Sequence, residues 1–469
     1  MPMPEPRDAN GWVGRGMELR AGQQFAAAEA AYRRALQLDP ANRIAYHNLG
    51  ALLSQQERAD EALAALEQAR ARGLQAGSLY INLGRTLMQL YRPEEAERAY
   101  EHAVRLEPGS PQAQASLASL RHMRGDLLFG RDFAHAVAAA PGNTVLQLSY
   151  ADLLRRAGEL EASEGILQRM LAGANPPVAA RTALATVWRE SGRLKQAEAL
   201  LLELATASPG DVGIIESLVA TQLTLERPGE ALPFIRLQRT RAPLDQRWLA
   251  YEASAARLLE PEVYQTLHDY GRLVRAYDIQ APAPWTSVVE LNAAVARALA
   301  SRHLFANHPL DQSLRNGTQT ARSLLTDGDE AIQALLRAFE APIADYRAAI
   351  GQDARHPLTA RNQGAAALRG CWSVALRHGG FHVNHIHPEG WLSSAYYVSV
   401  PPEVGDQSQR SGWLKFGEPR WPSPGARPDH FVQPAPGRLV LFPSYMWHGT
   451  NALRGGDARL TVAFDVVPA

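Results

Sequence analysis

Apolar and polar positions change rhythm once along this chain. From about residue 9 to about 300 they follow helical patterns, as in LDQRWLAYEASAARLLEPEVYQTLHDYGRLVRAY and SVVELNAAVARALASRHLF. A polar, Gly-containing stretch, NHPLDQSLRNGTQT (307–320), reads as a loop, and a further amphipathic helix is predicted near 328–349. Beyond 370 the apolar residues are β-branched and aromatic and fall in short runs broken by Pro and Gly. The runs GCWSVALRHGG, FHVNHIHP, WLSSAYYVSVP, GWLKFGE, GRLVLFPS and RLTVAFDVV predict strands of a β-sandwich or barrel, with the preceding helices covering one face.

Within the helical half the pattern repeats. Gly16, Gly50 and Gly84 are 34 residues apart, and Ala28, Ala62 and Ala96 recur at the same interval. Tyr32, Leu66 and Tyr100 follow, then Ala35, Ala69 and Ala103, and Pro40 and Pro108 close the first and third units. A 34-residue period with a small residue, a large one and a closing proline resembles the tetratricopeptide repeat, in which two antiparallel helices approach closely at small residues. The register resumes at Ala197 and Ala231 and at Pro209 and Pro243, whereas GDLLFGRDFAHAVAAAPGN and the segment near 143–176 read as degenerate repeats. About seven units are expected over 9–243. Such an array presents a concave groove to an extended partner. Asn48 and Asn82 occupy equivalent positions that in tetratricopeptide proteins face the groove, where an amide bonds a bound peptide; the alternative is two solvated asparagines.

Composition limits the partners. Among 469 residues, 48 basic side chains balance 48 acidic ones, which argues against a nucleic-acid binder and against a polybasic membrane-surface protein. Lysine occurs only at Lys195 and Lys415, a skew more suggestive of base composition than of local need for guanidinium groups. No run of eighteen apolar residues is present, and MPMPEPRDANGW has neither the basic nor the apolar region of a secretory signal, so a cytoplasmic location is expected. The single cysteine, Cys371, leaves no intrachain disulfide and no Cys-based zinc site. Histidine must then carry any metal chemistry, and six of the fourteen histidines and five of the nine tryptophans lie between 372 and 448.

Three of those histidines have the logic of metal ligands. His385 and His387 are two apart on an expected strand, which turns both imidazoles to one face. His448 follows an apolar strand and a turn that returns it beside the pair. Imidazole nitrogens suit Fe, Zn, Cu or Ni, although an H-x-H pair alone is equally a pair of partly exposed packing residues.

The segments HIHPEGWLSSAYYVSVP, PGRLVLFPSYMWHGT and RLTVAFDV together resemble the 2-oxoglutarate/Fe(II) oxygenase family that often follows tetratricopeptide repeats, and NHPLDQSLRNGTQT is similar to a segment preceding its core. The resemblance spans about 260–469. It implies an α+β chain in two parts: an all-α tetratricopeptide solenoid, then a double-stranded β-helix (jelly-roll) oxygenase domain with supporting helices. The corresponding boundaries are 9–243 for the repeats, 244–284 for a helical connector and 285–469 for the oxygenase-like domain, with its β-helix core at about 370–469. The resemblance further implies Fe(II) held by His385 and His448, with 2-oxoglutarate as cosubstrate. Arg459, on a strand with Thr461, and Tyr397 would bind the distal carboxylate, a role for which a guanidinium supplies a bidentate fork. His387 stands where the familiar two-histidine, one-carboxylate triad has its acid. Either His387 is the third ligand, or it points away, or Glu389 substitutes. His378 and His382 read as supporting or surface residues. Trp391, Lys415, Gln312, Arg315 and Gln319 are weaker candidates for substrate contact, each with an ordinary structural role as its alternative.

The architecture points to a dioxygenase that hydroxylates a side chain of a peptide or protein recruited by the repeats. The rivals are an oxygenase of a small metabolite, a cupin-like metal protein and a non-catalytic repeat adaptor. Glycine, proline and histidine spacings around 379–385 and 437–448 suit a cupin, but the glutamate expected shortly after H-x-H is replaced by Trp391 and Leu392. The sequence is silent on oligomeric state.

Overall fold

The computed structural model describes residues 6–173, 176–423 and 425–468. By mutual contact the chain divides into two compact units, 1–153 and 154–469. In the first, α1 (Ala9–Ala21) pairs with α2 (Phe25–Leu38), α3 (Arg43–Gln55) with α4 (Ala59–Ala71), and α5 (Gly77–Gln89) with α6 (Pro93–Leu106). α7 (Pro111–Arg124) packs on α8 (Arg131–Ala139), and the division falls within α9 (Thr144–Arg156).

The recurring glycine and large residue are two halves of one contact. A methyl group on Gly16 would lie 2.4 Å from the Tyr32 ring, one on Gly50 2.6 Å from Leu66, and one on Gly84 2.4 Å from Tyr100. The glycine in the first helix is therefore the seat for the large residue of the second, and close packing leaves no room for a side chain there. Adjacent hairpins are also tied across a 35-residue spacing, from Arg20 to Gln55, Ser54 to Gln89 and His47 to Asn82.

The second unit continues with α10 (Leu160–Leu171), α11 (Val178–Glu190), α12 (Leu194–Ala207), α13 (Val212–Thr224), α14 (Pro228–Arg241) and α15 (Gln246–Leu259). The first helices of successive hairpins thus begin at residues 9, 43, 77, 111, 144, 178, 212 and 246, a spacing of 34 with one step of 33. Segments whose side chains depart from the repeat pattern keep its helical register. The first seven hairpins each turn through a left-handed residue: Gln23, Glu57, Tyr91, Gly125, Gly158, Gly192 and Glu226.

The stretch expected as a helical connector is part of the second unit's core. It forms α15, α16 (Pro261–Leu267), α17 (Tyr270–Leu273) and then β1 (Arg275–Asp278). Leu249, Ala253, Tyr264, Leu267 and Leu273 are buried in one cluster with strand residues Tyr396, Phe442 and Phe464. The tail of the predicted helical run, around RAYD, is a strand because Arg275–Asp278 pairs with residues 438–441. α18 (Val288–Ala300) follows, then β2 (Leu314–Gln319) inside the stretch read as a loop. The helix predicted near 328–349 is two, α19 (Glu330–Ala338) and α20 (Glu340–Ile350), meeting at Phe339, whose ring packs on Tyr396 and Phe464.

The remaining strands are β3 (Ala366–His382), β4 (Leu392–Ser399), β5 (Leu414–Phe416), β6 (His430–Val432), β7 (Arg438–Pro443), β8 (His448–Thr450) and β9 (Arg459–Pro468). Two sheets result, ordered β1-β7-β4-β9-β3-β2 and β6-β5-β8, with antiparallel pairing between neighbours. Alternation along β4 and β9 assigns two jobs. Tyr396, Val462, Phe464 and Val466 join the core that also buries α18 and α19. Ser393, Tyr397, Arg459, Thr461 and Asp465 occupy the alternate positions, on the other face. No helix among the described residues is long and apolar enough to cross a membrane.

Candidate metal centre

β3 ends at His382, and the H-x-H segment beyond it is irregular rather than the regular strand expected. It is fixed by pairing with the chain around β8. His385 and His448 exchange backbone hydrogen bonds of 2.8 and 3.0 Å, and the His387 N–H donates to the Ser444 carbonyl at 3.0 Å. The imidazoles of His385, His387 and His448 converge, with one ring nitrogen from each lying within 4.8 Å of the others. Ring centroids are 4.3 Å apart for His385 and His448 and 5.2 Å for each of the other two pairs.

The outer nitrogens determine what the inner ones present. His385 Nδ1 donates to the Val383 carbonyl at 2.8 Å, His448 Nδ1 to the Met446 carbonyl at 2.9 Å, and His387 Nδ1 to the Asp465 carboxylate at 2.7 Å. Each acceptor lacks a hydrogen, so in a neutral ring the proton sits on Nδ1 and Nε2 offers a lone pair. Burial, reinforced by the neighbouring histidines, pushes His385 down to about 3 and His448 well below the ordinary histidine value. The inner nitrogens converge, with His385 Nε2 and His387 Nε2 3.3 Å apart and the Ser313 hydroxyl 3.3 Å from His385 Nε2. A cation at their focus would take all three lone pairs, and imidazole nitrogens suit Fe, Zn, Cu or Ni. Glu389, the alternative ligand, is exposed at the surface and faces Arg369 at 3.8 Å.

Two buried polar groups in the same module lack partners. Arg459, at the start of β9, is 2 % exposed and donates through one terminal nitrogen to the Gly412 carbonyl at 2.5 Å. Its Nε has no partner, and the hydroxyl of Tyr397, over whose ring the guanidinium lies at 5.7 Å, has none either. Burial lowers the Arg459 pKa and lifts the Tyr397 phenol to about 12. A buried guanidinium with an unused N–H beside an unused O–H is costly unless an anion completes it. The distal carboxylate of 2-oxoglutarate has the charge and acceptor atoms to do so, and the residues present fit that group. Thr461 is on the same face, with its hydroxyl directed to the Val374 carbonyl at 3.2 Å.

The structure separates the other candidates. Lys415 on β5 forms an ion pair with Glu418, which also accepts from Asn384 beside His385 at 2.9 Å. Arg315 follows Ser313, whose hydroxyl lies 2.9 Å from His382 Nδ1 and 3.3 Å from His385 Nε2. Gln312 turns its carbonyl to Arg315, and Gln319 lies at the opposite end of β2, across from Val374. Trp391 is a core residue, 1 % exposed, whose indole N–H donates to the Leu358 carbonyl at 2.9 Å; it is withdrawn from any substrate. In the first unit, the Asn82 amide is bonded to His47 and Arg85 at 3.0 and 2.9 Å, whereas Asn48 lies half-buried. Sequence reasoning missed Asp465 and Ser313. Asp465 was signalled by alternation, since it sits four and six residues beyond Thr461 and Arg459 on one strand face. Ser313 had no signal, because its place depends on β2 crossing to β3.

Two kinds of family model match the chain. Residues 370–465 match the family model described as "Putative 2OG-Fe(II) oxygenase", and residues 16–57, 44–75, 77–110 and 150–212 match models of the tetratricopeptide repeat. The chain combines tetratricopeptide repeats with a C-terminal domain of the 2OG-Fe(II) oxygenase type. The type IV pilus assembly protein PilF of Pseudomonas aeruginosa is 24% identical over 131 residues, 28% of this chain and 52% of that protein, so the chain spans about half of that relative's length. Similar solved structures include a tetratricopeptide repeat protein from Parabacteroides merdae, at 15% identity and a TM-score of 0.40, covering 53% of this chain and 99% of that one. Another is PilW, a type IV pilus biogenesis factor, at 18% identity and a TM-score of 0.35, covering 45% and 98%.

Proposed function

We propose that this protein is a 2-oxoglutarate- and O2-dependent Fe(II) oxygenase that hydroxylates a side chain of a peptide or protein recruited by its repeats. In this reading residues 9–243 are the recruiting array, 244–284 join it to the catalytic part, and 285–469 form the oxygenase domain, a double-stranded β-helix around 370–469. What supports the reading most is the pairing of two features in one module: three convergent imidazole nitrogens suited to a cation, and the unpartnered Arg459 and Tyr397 groups suited to an anion.

His385, His387 and His448 would hold the iron, and Asp465 would keep His387 in its ligating tautomer while placing a negative charge behind it. Arg459 and Tyr397 would bind the distal carboxylate and so fix the cosubstrate's orientation. Iron with 2-oxoglutarate supplies the oxidising chemistry: one atom of O2 enters a substrate C–H bond and the other the succinate formed by decarboxylation. Phe442, edge-on to His448 at 4.6 Å, helps exclude water from the centre. The neutral overall charge and the absence of Cys ligands agree with a histidine-metal enzyme acting on a polypeptide in the cytoplasm.

The test is anaerobic loading with Fe(II), addition of 2-oxoglutarate and O2, and measurement of succinate. Wild type should form succinate, with His448→Ala losing iron uptake and Arg459→Met retaining iron but binding 2-oxoglutarate at least tenfold more weakly. A wild-type chain that takes up neither iron nor 2-oxoglutarate would sink the proposal.

A further inference from the structure

Resting on that reading, the geometry points to the chemistry of the substrate. Three arginines are carried by separate elements of the second unit, each beside residues that touch the surroundings of the histidine centre: Arg189 at the end of α11, Arg315 in β2, and Arg420 in the loop after β5. Arg420 is placed by its neighbours. The Pro419 carbonyl accepts from Asn384, next to His385, at 3.1 Å. On the other side of Arg420, Trp421 stacks on Tyr251 of α15 at 5.6 Å and meets Trp447, next to His448, at 5.2 Å. Arg189 adjoins Trp188, which packs against the apolar cluster holding Trp421, Trp447 and Ile386, the residue between His385 and His387. Arg315 is two residues from Ser313, which reaches His385. These guanidiniums feel one another's charge: Arg420 acts on both Arg315 and Arg189, and also on His385.

Among the described residues none of the three forms an ion pair, although Glu190 partly offsets the charge of the adjacent Arg189. Nearby carboxylates already have other partners. Glu190 pairs with Arg155 at 2.8 Å, and Glu216 accepts from Tyr251 at 3.1 Å and faces Arg247. Glu418 pairs with Lys415, and Asp465 accepts from His387. Arg315 spends one terminal nitrogen on the carbonyls of Gln312 and Leu314, and Arg189 Nε is buried without a partner. Gathering like charges in this way costs free energy unless an anion is bound among them.

We propose that Arg189, Arg315 and Arg420 form the substrate-recognition rim of the iron site and select a polypeptide carrying carboxylate side chains, Asp or Glu, beside the residue to be hydroxylated. The rim is distinct from Arg459, which serves the cosubstrate. Arg189 belongs to a repeat helix, so the same helices that would recruit the chain would also read its charge. Arginine suits the task because its fork pairs bidentately with a carboxylate.

The test uses the full chain with Mn(II) and 2-oxoglutarate under nitrogen, where binding proceeds without turnover, probed with an array of random twelve-residue peptides. Asp- and Glu-containing peptides should be retained at least tenfold better than their Asn and Gln counterparts. Arg420→Glu should erase that preference, and Arg315→Ala and Arg189→Ala should each reduce it about fivefold. Lysine at each position should restore part of it, and Mn(II) and 2-oxoglutarate affinities should stay unchanged. Because Arg420 is exposed, its variant tests the rim even if the Arg189 variant folds poorly. Wild-type binding of Mn(II) and 2-oxoglutarate with no acid preference would overturn the proposal and leave the oxygenase reading intact. Tenfold stronger retention of phosphoserine peptides, or displacement of acidic peptides by millimolar inorganic phosphate, would overturn it in favour of a phosphate site. Failure to bind Mn(II) and 2-oxoglutarate, with acid preference retained, would instead count against the oxygenase reading.

Discussion

The helical hairpins of residues 9–139 and the β module after 366 use small sets of residues in opposite ways. In the hairpins one contact is repeated: Gly16 against Tyr32, Gly50 against Leu66, Gly84 against Tyr100. Each is local, spanning sixteen residues, and its loss leaves the others in place. In the β module each contact is made once. His385 and His387 come from the segment between β3 and β4, His448 from β8 and Arg459 and Asp465 from β9, and no second copy compensates for any of them. Redundancy makes a repeat array tolerant of drift, as the regular helix starts through 144 and 178 show, whereas a converging site depends on every member.

That contrast can be broken or sharpened by measurement, starting with the largest effect. His448→Ala should abolish measurable metal uptake while the helical signal in circular dichroism stays unchanged; metal bound at wild-type strength would mean that the centre is not a single converging site. Asp465→Ala, which leaves the three imidazoles but removes the acceptor behind His387, should weaken metal binding about 10- to 100-fold in a competition titration. Gly84→Val forces a side chain against the Tyr100 ring and should cost about 1–3 kcal/mol in denaturant unfolding, with metal affinity untouched.

Acid should act on the second unit through buried histidines away from the centre. Burial pushes His268 down to about 3 and His303 to about 4. An unfolded histidine titrates near 6.5, so below that pH the unfolded chain gains protons the folded chain refuses. Stability from these residues is full above about pH 6.5 and falls as the pH drops toward 4. The thermal midpoint should therefore decline across that window, and less steeply in His268→Phe. The smallest effect belongs to the hairpins. Gln23 is exposed and held at a φ of 59°, where a side chain is strained, so Gln23→Gly should raise stability by a few tenths to about 1 kcal/mol despite glycine's entropy.

Legibility follows the same division. The 34-residue period was readable because glycine, alanine and the large residue recur in one order, and a local contact leaves a local record. His385, His387 and His448 stood out by spacing and by their place in strand-like runs, whereas Arg459 was singled out only through the family resemblance of RLTVAFDV. β1 was misread as helix and β2 as loop, since their partners lie far along the chain, Arg275 opposite Leu441 and Leu314 opposite His382. Trp391 was a weak candidate for substrate contact with a structural role as its alternative, and its indole turns into the core toward Leu358.

The sequence by itself determined the repeat unit, the change from helix to strand and the residue types available for metal chemistry, because each is a matter of local order and composition. Only the tertiary structure decided which imidazole nitrogens converge, which carboxylate stands behind His387, and that Arg459 is buried with its Nε unpartnered. Those are properties of convergence: a lone pair or an unpaired charge is defined by everything folded around it.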